Sequence, residues 1–140
     1  MIFFLVLNLK STRDTFGVGT LIAVPSNFHL NGKLDGTAIR VPTPNVSLVD
    51  FKFNTKKNIT IENLNNKFQE YANSSLKGIL GVDTDPKVSS DYNHDSRSSI
   101  LDLSETTMVT DNFGRVLTWY DNEWGFSNRM LETTAQVCNL

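Results

Sequence analysis

At 140 residues the chain has room for one domain and one substantial core. Hydrophobic content of 39%, charged content of 20% and a mean hydropathy of -0.23 are those of a soluble folded protein and exclude disorder over most of the chain. A net charge of -2 and a pI near 5.6 leave no basic excess for a polyanion, so nucleic acid is not an expected partner.

The opening MIFFLVLNLK is apolar but has no basic leader before the run and no small-residue cleavage site after it. It is also too short to span a bilayer, so no membrane partner is expected and the cytoplasm is the expected compartment. The single cysteine, Cys138, allows no internal disulfide and agrees with a reducing compartment. Residues 1–29 are the least readable part. Gly17-Val18-Gly19 begins a G-x-G-x-x-G pattern, but Ile22 stands where the third small residue belongs and no strand pattern precedes it, so a loop is expected.

From Thr37 the pattern sharpens. TAIRV and VSLVDFKFN alternate and are rich in β-branched residues, while the two prolines of PTPN interrupt any ladder, which predicts two strands joined across Pro42 to Asn45. Thr60 is placed to cap a helix from Ile61 to Ala72, whose Ile61, Leu64, Phe68 and Tyr71 recur at helical spacing and predict a core-facing stripe. LKGILGV, Leu76 to Val82, reads as a short strand broken by Gly78, and KVSSDY as another strand before the polar NHDSRSS.

SSILDL and TTMVTDNFGRVLTWYDNE supply the remaining strands, with a hairpin turn at Asp111 to Gly114. Ser127 opens the last helix, drawn as Phe126 to Cys138, in which Met130, Leu131, Thr134 and Val137 are expected to be buried and Cys138 to pack at the helix end. Runs of strands with two long helices and no strict βαβ alternation predict an α+β fold, a mainly antiparallel or mixed sheet with helices packed on one face.

Three stretches then become specific: HLNGKLDGTAIRVPTPNVSLVDF, LKGILGV followed by VSSDYNHDSRSSI, and WYDNEWGFSNRM. In this order and spacing they resemble the catalytic domain of phosphorylating glyceraldehyde-3-phosphate dehydrogenase, and erythrose-4-phosphate dehydrogenase is a similar relative. The resemblance runs from Leu30 to Thr134, about three quarters of the chain, and places the domain at residues 30–140 with a poorly matching segment at 1–29. It implies an oligomeric, NAD-dependent enzyme of glucose metabolism in which a cysteine attacks the aldehyde, a histidine moves the proton and phosphate releases the thioester.

The resemblance also assigns residues one at a time. Arg40, in IRVPTPN, matches the arginine that binds phosphate, a fit for a guanidinium fork on phosphate oxygens; a structural strand-end ion pair is the competing reading, and the intact motif favours phosphate. Asn122, in YDNEWG, matches the asparagine whose amide meets the nicotinamide carboxamide; a plain turn-capping role for Asp121, Asn122 and Glu123 is the competing reading. Phe126 stands where many members carry tyrosine. The family's N-terminal Rossmann domain, its Ser-Cys-Thr-Thr-Asn-Cys run and its histidine segment have no counterpart in these residues, and Ser11-Thr12-Arg13 does not match the second phosphate site.

No catalytic residue or metal ligand is therefore assigned: Cys138 matches no catalytic position, and His29 and His94 read as surface or turn histidines. The expectation is a truncated catalytic domain that does not turn over alone and does not bind NAD alone. Part of a split enzyme is the alternative. The expected partner is a second copy or a separate Rossmann-domain chain, with apolar residues of LVDFKFN or VLTWY exposed on the helix-free sheet face.

Overall fold

The computed structural model describes residues 20–22, 37–39 and 41–138 and divides the chain into two units, Met1–Thr43 and Pro44–Leu140. In the first unit β1 (Thr20–Ile22) pairs antiparallel with β2 (Thr37–Ile39), Thr20 standing opposite Ile39. The strand expected at TAIRV is thus present in its first three residues. The opening apolar run, Gly17-Val18-Gly19, His29 and Arg40 lie outside the described residues.

The second unit is a four-stranded mixed sheet with two helices, an α+β arrangement. Its elements are β3 (Ser47–Asn54), α1 (Ile61–Asn73), β4 (Leu80–Asp83), a 3-10 turn (Ser89–Tyr92), β5 (Ser99–Met108), β6 (Phe113–Tyr120) and α2 (Trp124–Val137). The strand order is β3-β6-β5-β4, antiparallel except for the parallel β4–β5 pair.

Each strand's period of two divides its side chains between two cores. On one face Leu64, Leu80, Leu101, Leu103 and Val116 form the larger cluster, with Phe53, Phe68, Val82 and Met108 packed against it. On the other, at the far end of the sheet, Val46, Tyr92 and Ile100 form a smaller cluster closed by Trp119. The rings of Tyr92 and Trp119 stack with centroids 5.6 Å apart.

The β5–β6 ladder slips between Asp102 and Thr107, where β5 carries a bulge opposite Val116. That irregularity merges the two strands expected around SSILDL and TTMV into one ten-residue strand. The hairpin loop falls at Val109 to Asn112 and not at Asp111 to Gly114, with the Val109 N–H donating to the Phe113 carbonyl at 2.8 Å. Gly114 lies inside β6, where a Cβ would meet Met108 Sδ at 2.7 Å and Phe53 Cζ at 2.8 Å.

Helix α1 starts where its cap residue predicts: Thr60 is extended (φ -92, ψ 158) and its hydroxyl accepts the Asn63 N–H at 3.2 Å. Its buried stripe is narrower than its apolar spacing suggested. Leu64 is buried and Phe68 partly so, whereas Ile61 and Tyr71 are 42% and 47% exposed. Strand β4 begins after Gly78, which takes φ +81 in the turn that leaves α1, so Leu76 and Lys77 precede the strand.

Three local expectations are overturned. KVSSDY is not a strand: Ser89–Tyr92 coils into a 3-10 turn because the Asp91 carboxylate reaches back to the Val88 N–H at 2.8 Å, and Tyr92 is buried at its end. Helix α2 begins at Trp124, three residues before Ser127. Its expected buried face is exposed, with Met130, Leu131 and Val137 at 54%, 72% and 75%, and Cys138 is exposed as well. Of α2, the first turn and Arg129 make the contacts: Gly125 lies against the backbone of Asp95 and Arg97, and the Arg129 guanidinium reaches Ser98 Oγ at 3.4 Å.

Among the described residues no helix is long and apolar enough to cross a membrane.

Candidate functional site

The end of β6 delivers Asp121 into the interior, where it is 1% exposed. A bare carboxylate there would be costly, and it is held by four donors. Its Oδ1 accepts the N–H groups of Glu123 at 3.1 Å and Trp124 at 2.8 Å, the first orphan donors of α2. Its Oδ2 accepts the Asn45 side-chain amide at 2.8 Å and the His94 N–H at 2.9 Å. Burial pushes the Asp121 carboxyl up, but the hydrogen bonds from Trp124, His94, Glu123 and Asn45 together outweigh it and hold it below the usual 3.8. A negative charge at the start of α2 is also favoured by the helix dipole.

Asp121 therefore joins the residues before β3, the turn after the 3-10 element and the start of α2. Asn45 adds a second bond, to Asn93 Oδ1 at 2.7 Å. The backbone bends sharply to reach this point. His94 takes φ +62, a region that histidine enters more readily than most residues, while Val46 takes φ +68, an outlier for a β-branched side chain. Such strain costs about 1–3 kcal/mol. It persists because Asn45 is bonded on one side and the Val46 side chain is buried against Tyr92 and Ile100 on the other.

Around this hub lies an open, mainly polar depression of about 230 Å3 lined by Asn45, His94, Asp121, Glu123, Trp124 and Ser127. The His94 ring packs on Trp124 at 5.5 Å between centroids, tilted by 58°. Next to it the Asp95 carboxylate grips Arg97, with contacts of 2.9 and 3.2 Å to Nε and 2.5 Å to the terminal nitrogen. Burial raises the Asp95 carboxyl, and the Arg97 guanidinium and N–H more than compensate, so it too stays below its usual range. Among the described residues no group of three His, Cys, Asp or Glu side chains is placed to hold a metal ion.

Asn122 sits at the crest of this turn. Its side chain is exposed, and the hydrogen bonds that fix the turn are made by Asp121 on one side and by the N–H groups of Glu123 and Trp124 on the other. Phe126, one turn further on, is 51% exposed. Whether Arg40 and Asn122 share one concave side lies outside the described residues. The residues that sequence reasoning under-weighted are Asp121 and Asn45. The signal for Asp121 was present, since an acidic residue just before a helix is a capping signal, but an asparagine 76 positions earlier carries no local mark of its partner.

The family model for the glyceraldehyde 3-phosphate dehydrogenase C-terminal domain matches residues 14–122, from within the unreadable opening to Asn122 itself. The chain belongs to this family. Glyceraldehyde-3-phosphate dehydrogenase of Cereibacter sphaeroides is 49% identical over 112 residues, 80% of this chain and 34% of the relative. That of Xanthobacter flavus is 50% identical over 112 residues, 80% of this chain and 33% of the relative. The protein of the same name from Claviceps purpurea is 47% identical over 128 residues, 91% of this chain and 36% of the relative. The chain thus spans about a third of the length of the curated relatives it matches. Within the glyceraldehyde 3-phosphate dehydrogenase C-terminal domain, the matched region includes the whole mixed sheet, α1 and the Asn45–Asp121 hub, while α2 follows it.

Proposed function

We propose that these 140 residues are the part of a glyceraldehyde-3-phosphate dehydrogenase catalytic domain that faces substrate phosphate and nicotinamide, and that on their own they do not oxidise an aldehyde. One geometric observation carries this reading. Thiol addition to an aldehyde needs a cysteine beside a base. Among the described residues the histidine is His94, which packs on Trp124 at the first residue of α2, and Cys138 follows the last, so about 20 Å of helix separates the two. No proton can pass directly between groups that far apart.

In this reading Arg40 binds the substrate phosphate through its guanidinium fork. Asn122 meets the nicotinamide carboxamide, and its fit rests on an exposed amide standing on a turn that the buried Asp121 makes rigid. Bound NAD would supply the hydride acceptor, with the Asn122 amide as the residue of this chain that would hold its carboxamide. The fit of the described residues to NAD stops at that one amide, so the dinucleotide needs a fold supplied from outside them. The protein works in the cytoplasm, with a second copy or a Rossmann-domain chain as partner.

An exposed Asn122 also favours a second reading, part of a split enzyme in which a dinucleotide-binding chain with the cysteine segment completes the site. Titrating the purified chain with NAD and following tryptophan emission tests the first reading, since Trp124 lies two residues from Asn122. No saturable quenching is expected. Saturable quenching that Asn122→Ala weakens would overturn it.

A further inference from the structure

The donors around the Asp121 carboxylate do different work. Three are backbone N–H groups, those of Glu123 and Trp124 on Oδ1 and that of His94 on Oδ2. The remaining donor is a side chain, the Asn45 amide, which reaches Oδ2 at 2.8 Å. Glu123 and Trp124 follow Asn122 directly in the chain, so the angle at which the carboxylate stands sets the turn that carries Asn122. The last torsion of an aspartate side chain has only a broad preference of its own. What fixes that angle is therefore the pair of donors on the other oxygen, Asn45 and His94.

Asn45 is itself held on both sides. Its second amide hydrogen goes to Asn93 Oδ1 at 2.7 Å, so both hydrogens of the amide are used. The next residue, Val46, keeps φ +68 with its side chain buried against Tyr92 and Ile100, which limits the freedom of the Asn45 backbone. The chain thus accepts strain at the place where it aims this amide at Asp121.

We infer that Asn45 is a positioning residue for Asn122: through Asp121 it orients the turn from which the Asn122 amide meets nicotinamide. The inference rests on the reading of Asn122 given above. It adds to that reading a residue from the segment before β3, on the far side of the buried carboxylate from the exposed amide.

Backbone 15N relaxation of the full chain, which needs no NAD, tests it at Asn122 and Glu123. In the parent both have order parameters of about 0.85, the value of a rigid backbone. Asn45→Asp keeps the shape of the side chain but removes both donated hydrogens and sets a second carboxylate against Asp121. In that variant the two order parameters fall below about 0.6 while those of β3, β5 and β6 hold. Adding Asp121→Asn exchanges donor and acceptor, restores a bond between the two positions and recovers part of the loss. Asn93→Ala guards against a first variant that misfolds, since it removes an exposed partner and leaves the Asn45 bond to Asp121 in place. It is expected to loosen Asn122 to a smaller extent.

An Asn122 that stays rigid in a folded Asn45→Asp or in Asn93→Ala, or a double variant that recovers nothing, overturns the role of Asn45 and leaves the reading of Asn122 standing. Saturable quenching by NAD that Asn122→Ala weakens overturns the claim that the chain does not bind NAD alone, and leaves these order parameters as they are.

Discussion

The carboxylate of Asp121 accepts the amide of Asn45 at 2.8 Å across 76 residues of sequence, inside a site where Asp121 is 1% exposed. The same side chain satisfies the first N–H groups of α2, so one residue fixes the helix start and ties it to the residues that lead into β3. Asn122, the residue proposed to meet nicotinamide, has its position set by this neighbour.

Asp121→Asn keeps the shape of the hub but replaces one accepting oxygen with a donor that faces either Asn45 and His94 or the α2 N–H groups. Losing charge-assisted bonds while leaving buried donors unmet is expected to cost about 2–3 kcal/mol. Urea denaturation of variant and parent checks it. Equal midpoints would show that the hub contributes nothing to stability.

Acid acts on the same group. Because the folded carboxyl of Asp121 lies below the usual 3.8, its stabilisation is complete above that pH and drains away as pH falls from there toward the folded value. Asp95, depressed in the same direction, adds to the loss. Stability measured across the acid range should therefore fall faster with decreasing pH in the parent than in Asp121→Asn, which has no carboxylate there to protonate.

At Gly114 a side chain is expected to fit only if Met108 and Phe53 shift. A methyl group would press on Phe53, whose ring packs against the larger core, and on Met108. Gly114→Ala should cost about 1–3 kcal/mol by overpacking, as read from the thermal midpoint. An unchanged midpoint would mean that the β5–β6 bulge yields freely.

On α1 the burial difference predicts a graded response. Leu64→Ala, emptying a site that is 8% exposed, should cost about 2–4 kcal/mol, while Ile61→Ala, at 42% exposure, should cost under about 1 kcal/mol. Paired denaturation curves check the ratio.

The strands and α1 were legible because their signals are local. Alternation in SLVDFKFN and FGRVLTWY sets the faces of β3 and β6, and the Thr60 cap sets the start of α1. What failed was set by contacts that alternation and spacing do not report. Ser89–Tyr92 has the composition of a short strand, but Asp91 competes for the Val88 N–H and coils it. Met130, Leu131 and Val137 have the spacing of a buried face, yet periodicity reports only that a face is apolar, and the described residues do not cover it. At the site Asn122 is assigned by the resemblance of WYDNEWGF alone, whereas Asn45 became visible only once the sheet had brought it to Asp121.

These residues form a glyceraldehyde 3-phosphate dehydrogenase C-terminal domain, and on their own they are expected to show no turnover. The most direct measurement is NADH absorbance when the purified chain is mixed with glyceraldehyde 3-phosphate, NAD and inorganic phosphate. The predicted result is a trace that does not rise above the protein-free blank. A steady rise that Cys138→Ser abolishes would contradict it.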